Sequence, residues 1–244
     1  MKVKLPPELS WLCPVDTPDL VRLGQNMDGG YIVTRSAMNH ARALLGFGLG
    51  EDFSFEQDWR THKPQDPVHV YDASVSRDRL TVRYNTSARG HLNLQQMYDE
   101  FFQGNARHVP EYISADNFVQ AMDQTGADQV FIKMDIEGSE YGLIDLIAQH
   151  HDRIVGIAME WHDCANRSGK WAEAVAKWQE HYAIVHVHGN NHVSADADGI
   201  FGCMELTHVR KDLIVATELR KNIHIPELDY SNIHGADDYE YYFE

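Results

Sequence analysis

At 244 residues, with 43% hydrophobic and 24% charged residues, the chain is long enough to bury its own core and too apolar for a disordered polymer. Its 37 acidic and 21 basic residues give a formal charge of -16, which repels phosphate backbones; no basic run reverses this locally, so nucleic acid is not an expected partner. Three cysteines without a CxxC pair, no apolar leader and no window near the roughly 20 apolar residues of a membrane span predict a cytoplasmic chain without a membrane anchor or cysteine-based metal motif.

In chain order, "LVRLGQNMDGGYIV" sets two apolar runs about Asp28-Gly29-Gly30 and reads as a β-hairpin, either plain or with a loop that reaches a ligand. "ALLGFGLGEDFSFEQDW" reads as strand, glycine-rich turn and helix, with Asp52 or Ser54 as the helix cap. "VHVYDAS" follows as a strand ending at Asp72, 22 residues after Gly50. That is close to the ~20 residues separating a glycine turn from the ribose acid in dinucleotide sites. "NLQQMYDEFFQ" is helical, "EYIS" reads as a strand, and "SADNFVQAMDQTG" as a capped helix ended by Gly126. Strand "QVFIKMDIEGSE", helix "YGLIDLIAQHH", strand "RIVGIAMEWHD" and helix "KWAEAVAKWQEHY" complete an alternation that predicts a mostly parallel sheet with helices on both faces. "AIVHVHGNN" and "IFGCMELTHVR", with no helix between them, predict a terminal antiparallel hairpin. No linker divides the chain, so one domain spans 1-244: an arm over 1-21, a core over 22-215 and an acidic tail over 216-244 that packs loosely or closes over a site.

Ligands of an open parallel sheet bind at the carboxyl ends of its strands. There the sequence places Gly46, Gly48 and Gly50, then Asp72, Asp116, Asp135 and Glu137, Glu160 and His162, and finally His186, His188, Asn190 and Asn191. The glycines let backbone N–H groups approach a ligand, and Asp72 suits a ribose diol or a cap. Lys133 shares a face with Asp135, either neutralising the acids or serving catalysis. Asp135, Glu137, Glu160, His162 and His188 could hold a divalent metal or line a polar substrate pocket.

Together the glycine turn, the Asp72 strand, "FIKMDIEGSEYGLI", "IAMEWHD", "HVHGNN" and "CMELTHVRKD" resemble the FkbM-type family of S-adenosylmethionine-dependent methyltransferases, over about residues 22 to 215. The resemblance implies a Rossmann-like methyltransferase fold: an α/β, mostly parallel seven-stranded sheet ending in an antiparallel hairpin. It implies S-adenosylmethionine as cofactor, with Gly46, Gly48 and Gly50 beside its methionine part, Asp72 on the ribose, Asp116 near the adenine and Asp135 near the sulfonium. The turn departs from the pattern at Gly46, where many methyltransferases carry an acid. The implied reaction is O-methylation of a hydroxyl on a small molecule or glycan, with His162, His188, Asp135 or Glu160 as base.

Other chemistries fit parts of the pattern. A nicotinamide-dependent oxidoreductase uses a similar turn and ribose acid, a metal-dependent hydrolase could use the Asp/Glu/His set, and a non-catalytic module could keep the fold without turnover. The aromatics of "DDYEYYFE" suit either a lid or a second subunit, leaving the oligomeric state open.

Overall fold

The structure is a computed structural model that describes residues 2–80, 82–85, 90–197, 199–215 and 218–244. Four strands of the main sheet are buried at every position: β1 (Ala43–Phe47), β2 (Val68–Tyr71), β4 (Val130–Met134) and β5 (Ile154–Trp161). A strand without a solvent face must be covered on both sides, as the middle of a parallel sheet is. β3 (Ala106–Val109), β6 (Tyr182–Ala195) and β7 (Phe201–Arg210) complete seven strands in the order 3-2-1-4-5-7-6. β1 to β5 pair in parallel, while β7 enters antiparallel between β5 and β6. This is the Rossmann-like methyltransferase sheet with its terminal hairpin.

Side-chain alternation divides the core in two. Leu45, Phe47, Ile132 and Met134 pack with Phe118 of α4 (Phe118–Gln124), Ile147 of α5 (Ile144–Gln149) and Trp171 and Trp178 of α6 (Ser168–Trp178). Leu44, Val70, Phe131 and Ala158 pack with Ala37 of α1 (Arg35–His40), Trp59 of α2 (Ser54–His62) and Phe101 of α3 (Leu94–Phe101). The early hairpin also forms, Leu20–Leu23 pairing antiparallel with Tyr31–Thr34.

"EYIS" is not a strand. The edge strand is the preceding "ARHV", stopped by Pro110, which has no N–H to continue a ladder. Arg107 and His108 hide it in the sequence because an edge strand tolerates polar side chains. The tail is docked rather than loose: Glu240–Tyr242 pairs in parallel with Lys2–Lys4 of the arm, and Tyr241 is buried. Leu5 and Leu12 of the arm also enter the core.

Between β1 and β4 the chain changes direction across the sheet, and the glycine turn crosses this point. Gly48 has φ +86, and a Cβ there would lie 1.8 Å from the Asp135 carbonyl oxygen, so no side chain fits. Gly138 has φ +92 with nothing within 4 Å of the same position. Gly48→Ala should therefore lose more than about 2 kcal/mol of stability, and Gly138→Ala only about 1 kcal/mol, from backbone strain alone. Urea denaturation midpoints check this; equal losses would show that the backbone crossing is not tight.

Candidate functional site

Two cavities run side by side along the carboxyl edge of the sheet and share Gly48, Asp72, Ser74, Asp135 and Glu137. The first, about 510 Å³, is bounded by Met27 and Asp28 of the hairpin loop, Asp52, Lys133, and Asn232 and Ile233 of the tail. The second, about 310 Å³, is bounded by Tyr71, Tyr112, Ile113 and Ile136. A larger depression of about 740 Å³, lined by Arg42, His151, His181 and Arg210, lies at the opposite edge of the strands. The hairpin loop thus does reach the site, held by Gln25, whose N–H meets Ser54 Oγ at 3.0 Å and whose Nε2 meets Asp52 Oδ2 at 2.5 Å.

Asp72 ties the turn to β2. Its Oδ2 accepts the N–H groups of Leu49 (2.8 Å) and Gly50 (3.2 Å), and its Oδ1 accepts the N–H (2.7 Å) and hydroxyl (2.6 Å) of Ser74. Burial works against the charge, but these hydrogen bonds outweigh it and hold the carboxyl below its usual range. Gly46 needs no side chain, because Glu56 of α2 fills that space, its Oε1 3.0 Å from where a Cβ would stand. Glu56 is fully buried, and burial raises its pKa to about 7. Helix α2 begins at Ser54 with Phe53 at the cap position, and Asp52 Oδ1 accepts the Ser54 N–H at 3.0 Å. Of the two expected caps, Asp52 makes the bond.

Lys133 donates to the Gly48 carbonyl at 2.9 Å and lies 5.8 Å above the Tyr31 ring. Burial disfavours its charge, yet the fields of Glu56, Asp135 and Asp52 raise its pKa, so it stays a cation inside the cleft. Asp135 follows β4 and borders both cavities. His162 Nε2 lies 3.7 Å from Asp135 Oδ1 and 3.6 Å from Glu137 Oε2, and Glu137 has the unusual φ of 55°. Burial lowers the pKa of His162, but the Glu140 carboxylate 3.5 Å behind the ring and the charges of Glu160 and Asp135 raise it to about 9. Glu160 is buried beside Asn190, whose Nδ2 donates to Oε1 at 2.9 Å; burial, Asp135 and Glu205 push its pKa well up. In the free protein, His162 thus holds a proton near neutral pH rather than accepting one.

Two expected site residues fall elsewhere. Asp116 is exposed in a loop and borders neither cavity, whereas Tyr112 and Ile113, from the stretch misread as a strand, border the smaller one. His188 does not join the Asp135 group. It is buried between Glu205 (Nδ1 to Oε2, 3.2 Å) and Asp238 (Nε2 to Oδ1, 3.0 Å). Burial opposes its charge, but Glu205 and Asp238 hold its pKa well above the ordinary value, and through Asp238 it anchors the tail to the sheet. Among the described residues, ligand atoms within 4.8 Å of one another occur in Asp135, Glu137 and His162, and in Glu160, His162 and Cys203.

The tail supplies what the sequence reading missed. His186 Nε2 meets Asp229 Oδ1 at 2.8 Å, and Asn232 Nδ2 donates to Glu205 Oε1 at 2.6 Å and Asp28 Oδ1 at 3.2 Å. These acids had no signal beyond composition, although Glu205 does alternate in phase within "CMELTH", opposite Glu160 and His188. Glu140 was legible within "KMDIEGSE" as the third acid of that stretch.

The anchor carries a pH signature. A raised histidine pKa gives stability that is complete below about pH 6.5 and is lost at roughly 1.4 kcal/mol per pH unit as pH rises toward the folded value. The depressed carboxyls of Glu205, Asp229 and Asp238 act in the opposite sense, losing their contribution as pH falls below about 4. His188→Gln should remove the His188 share of the alkaline loss and leave that of His162, whose pKa is raised to about 9, so the stability difference between wild type and variant in urea should shrink from pH 6 to 9. A difference that stays constant across that range would contradict the assignment.

No family model and no curated protein sequence matches the chain. Solved structures with a similar fold include a precorrin-6y C5,15-methyltransferase from Geobacter metallireducens GS-15, at 15% identity and TM-score 0.39, covering 72% of this chain and 84% of that one. A fibrillarin pre-rRNA processing protein from Methanococcus jannaschii has 6% identity and TM-score 0.41, covering 72% and 69%. The 23S rRNA methyltransferase ErmE has 10% identity and TM-score 0.38, covering 75% and 69%.

Proposed function

We propose that the protein is an S-adenosylmethionine-dependent methyltransferase of the FkbM type that methylates a hydroxyl oxygen on a small molecule or sugar. The observation that carries this reading is the charge of the cleft. Its larger cavity is bordered by Asp28, Glu51, Asp52, Asp72, Asp135 and Glu137 against one lysine, Lys133. Such a field favours a cofactor with a sulfonium and an ammonium group and opposes the pyrophosphate of a nicotinamide dinucleotide. Asp52 also accepts from the first N–H of α2, where a dinucleotide phosphate would otherwise bind.

Within this reading Lys133 would hold the cofactor carboxylate, Gly48 would allow the close backbone approach, and Tyr112 and Ile113 of the smaller cavity would receive the adenine. Asp72 would hold the ribose by exchanging the Ser74 hydroxyl, which it now accepts at 2.6 Å, for a ribose hydroxyl. When bound, the cofactor would supply an activated methyl group for transfer to an acceptor oxygen. The Asp135 carboxylate, where the two cavities meet, would take the proton that the acceptor releases.

Calorimetric titration with S-adenosylmethionine, S-adenosylhomocysteine and NAD tests the cofactor. We expect binding of both S-adenosyl compounds, no binding of NAD, and at least a tenfold loss in Asp72→Ala. Binding of NAD alone, or of none of the three by folded wild type, would overturn the proposal.

A further inference from the structure

The imidazole of His162 has two carboxylates before it and one behind. In front, Nε2, Asp135 Oδ1 and Glu137 Oε2 lie within 4.8 Å of one another, at 3.7 Å and 3.6 Å from the ring nitrogen. These spacings are too long for hydrogen bonds and close to a coordination edge. Ligands about 2.1 Å from a tetrahedral ion are about 3.4 Å apart. Behind the ring, Glu140 is fully buried. Its Oε1 accepts the His162 backbone N–H at 2.7 Å and lies 3.5 Å from Nδ1, and its Oε2 has no hydrogen-bond partner. A buried carboxylate of this kind is costly unless it has work to do. A carboxylate behind one ring nitrogen, with the other nitrogen facing an open group of oxygen ligands, is the arrangement that orients metal-bound histidines.

We propose that Asp135, Glu137 and His162 bind one divalent first-row transition-metal ion at the mouth of the cleft, with Glu140 as the positioning residue behind the imidazole. One imidazole with two carboxylates suits Mn²⁺, Fe²⁺ or Zn²⁺ better than Mg²⁺ or Ca²⁺, which prefer all-oxygen shells. Glu160 and Cys203, from the paired strands β5 and β7, also bring ligand atoms within 4.8 Å of His162 and of each other, which makes them the rival ligand set about the same imidazole. His188, held by Glu205 and Asp238, takes no part. Beside Asp135, the ion would polarise the acceptor hydroxyl. That role rests on the methyl-transfer reading, whereas binding of the ion does not.

The test needs no activity. Full-length protein stripped with a chelator is titrated calorimetrically with Mn²⁺ and Zn²⁺ in the absence of cofactor, folding being checked by circular dichroism. Wild type should take up one ion per chain, and His162→Ala, or His162→Gln if the alanine variant misfolds, should take up none. Glu140→Gln should bind about 10- to 100-fold more weakly, and His151→Ala, at the opposite edge of the sheet, should bind as wild type does. No uptake by wild type, or unchanged uptake by a folded His162 variant, overturns the site. A sulfur-to-metal charge-transfer band with Co²⁺ that Cys203→Ser removes would overturn this ligand set in favour of Glu160, His162 and Cys203. S-adenosyl binding without metal uptake defeats the ion alone, and metal uptake without S-adenosyl binding defeats methyl transfer alone.

Discussion

The contact between the glycine turn and the end of β4 is the constraint on which the rest of the site depends. Asp135 N–H donates to the Phe47 carbonyl at 2.8 Å, Lys133 donates to the Gly48 carbonyl, and Gly48 lies against the Asp135 carbonyl with no room for a Cβ. On its other side the turn is held through Leu49 and Gly50 to Asp72. Three strand ends are thereby fixed by backbone hydrogen bonds and charge-assisted ones, which are the stronger kind. The residues that shape both cavities inherit their positions from this knot.

Charge then divides the edge of the sheet into two regions. Around Asp135 the acids line a cleft with a single buried ammonium, so the field there favours cations. Around His188 the acids are paired, each with an imidazole, an amide or a backbone N–H, and they secure the tail to β6 and β7. The same residue types perform different work because one group faces a cavity and the other is closed over by the chain. The tail contributes to both, since Asn232 bonds Glu205 and Asp28 and also borders the larger cavity.

Much of the fold was legible in local pattern. Continuous apolar runs marked the central strands, Asp28-Gly29-Gly30 marked the early hairpin, and the missing helix between "AIVHVHGNN" and "IFGCMELTHVR" marked the terminal one. β3 was not legible because an edge strand has a solvent face, so "ARHV" carries no apolar alternation while "EYIS" imitates one. That shift of five residues carried Asp116 out of the site and brought Tyr112 and Ile113 into it.

The sequence by itself determined the alternation of strands and helices, the glycine turn, and the gathering of acids at strand ends, because each depends on residues a few positions apart and on the short repeat of strand and helix. Tertiary structure decided which charges meet. His188 finds Asp238 across 50 residues and Glu205 across 17, and His162 finds Glu140 across 22, through docking of the tail and register between strands that no local repeat encodes. Spacing placed His188 on the right strand, but only the packed chain assigned it to the tail and left His162 facing Asp135 and Glu137.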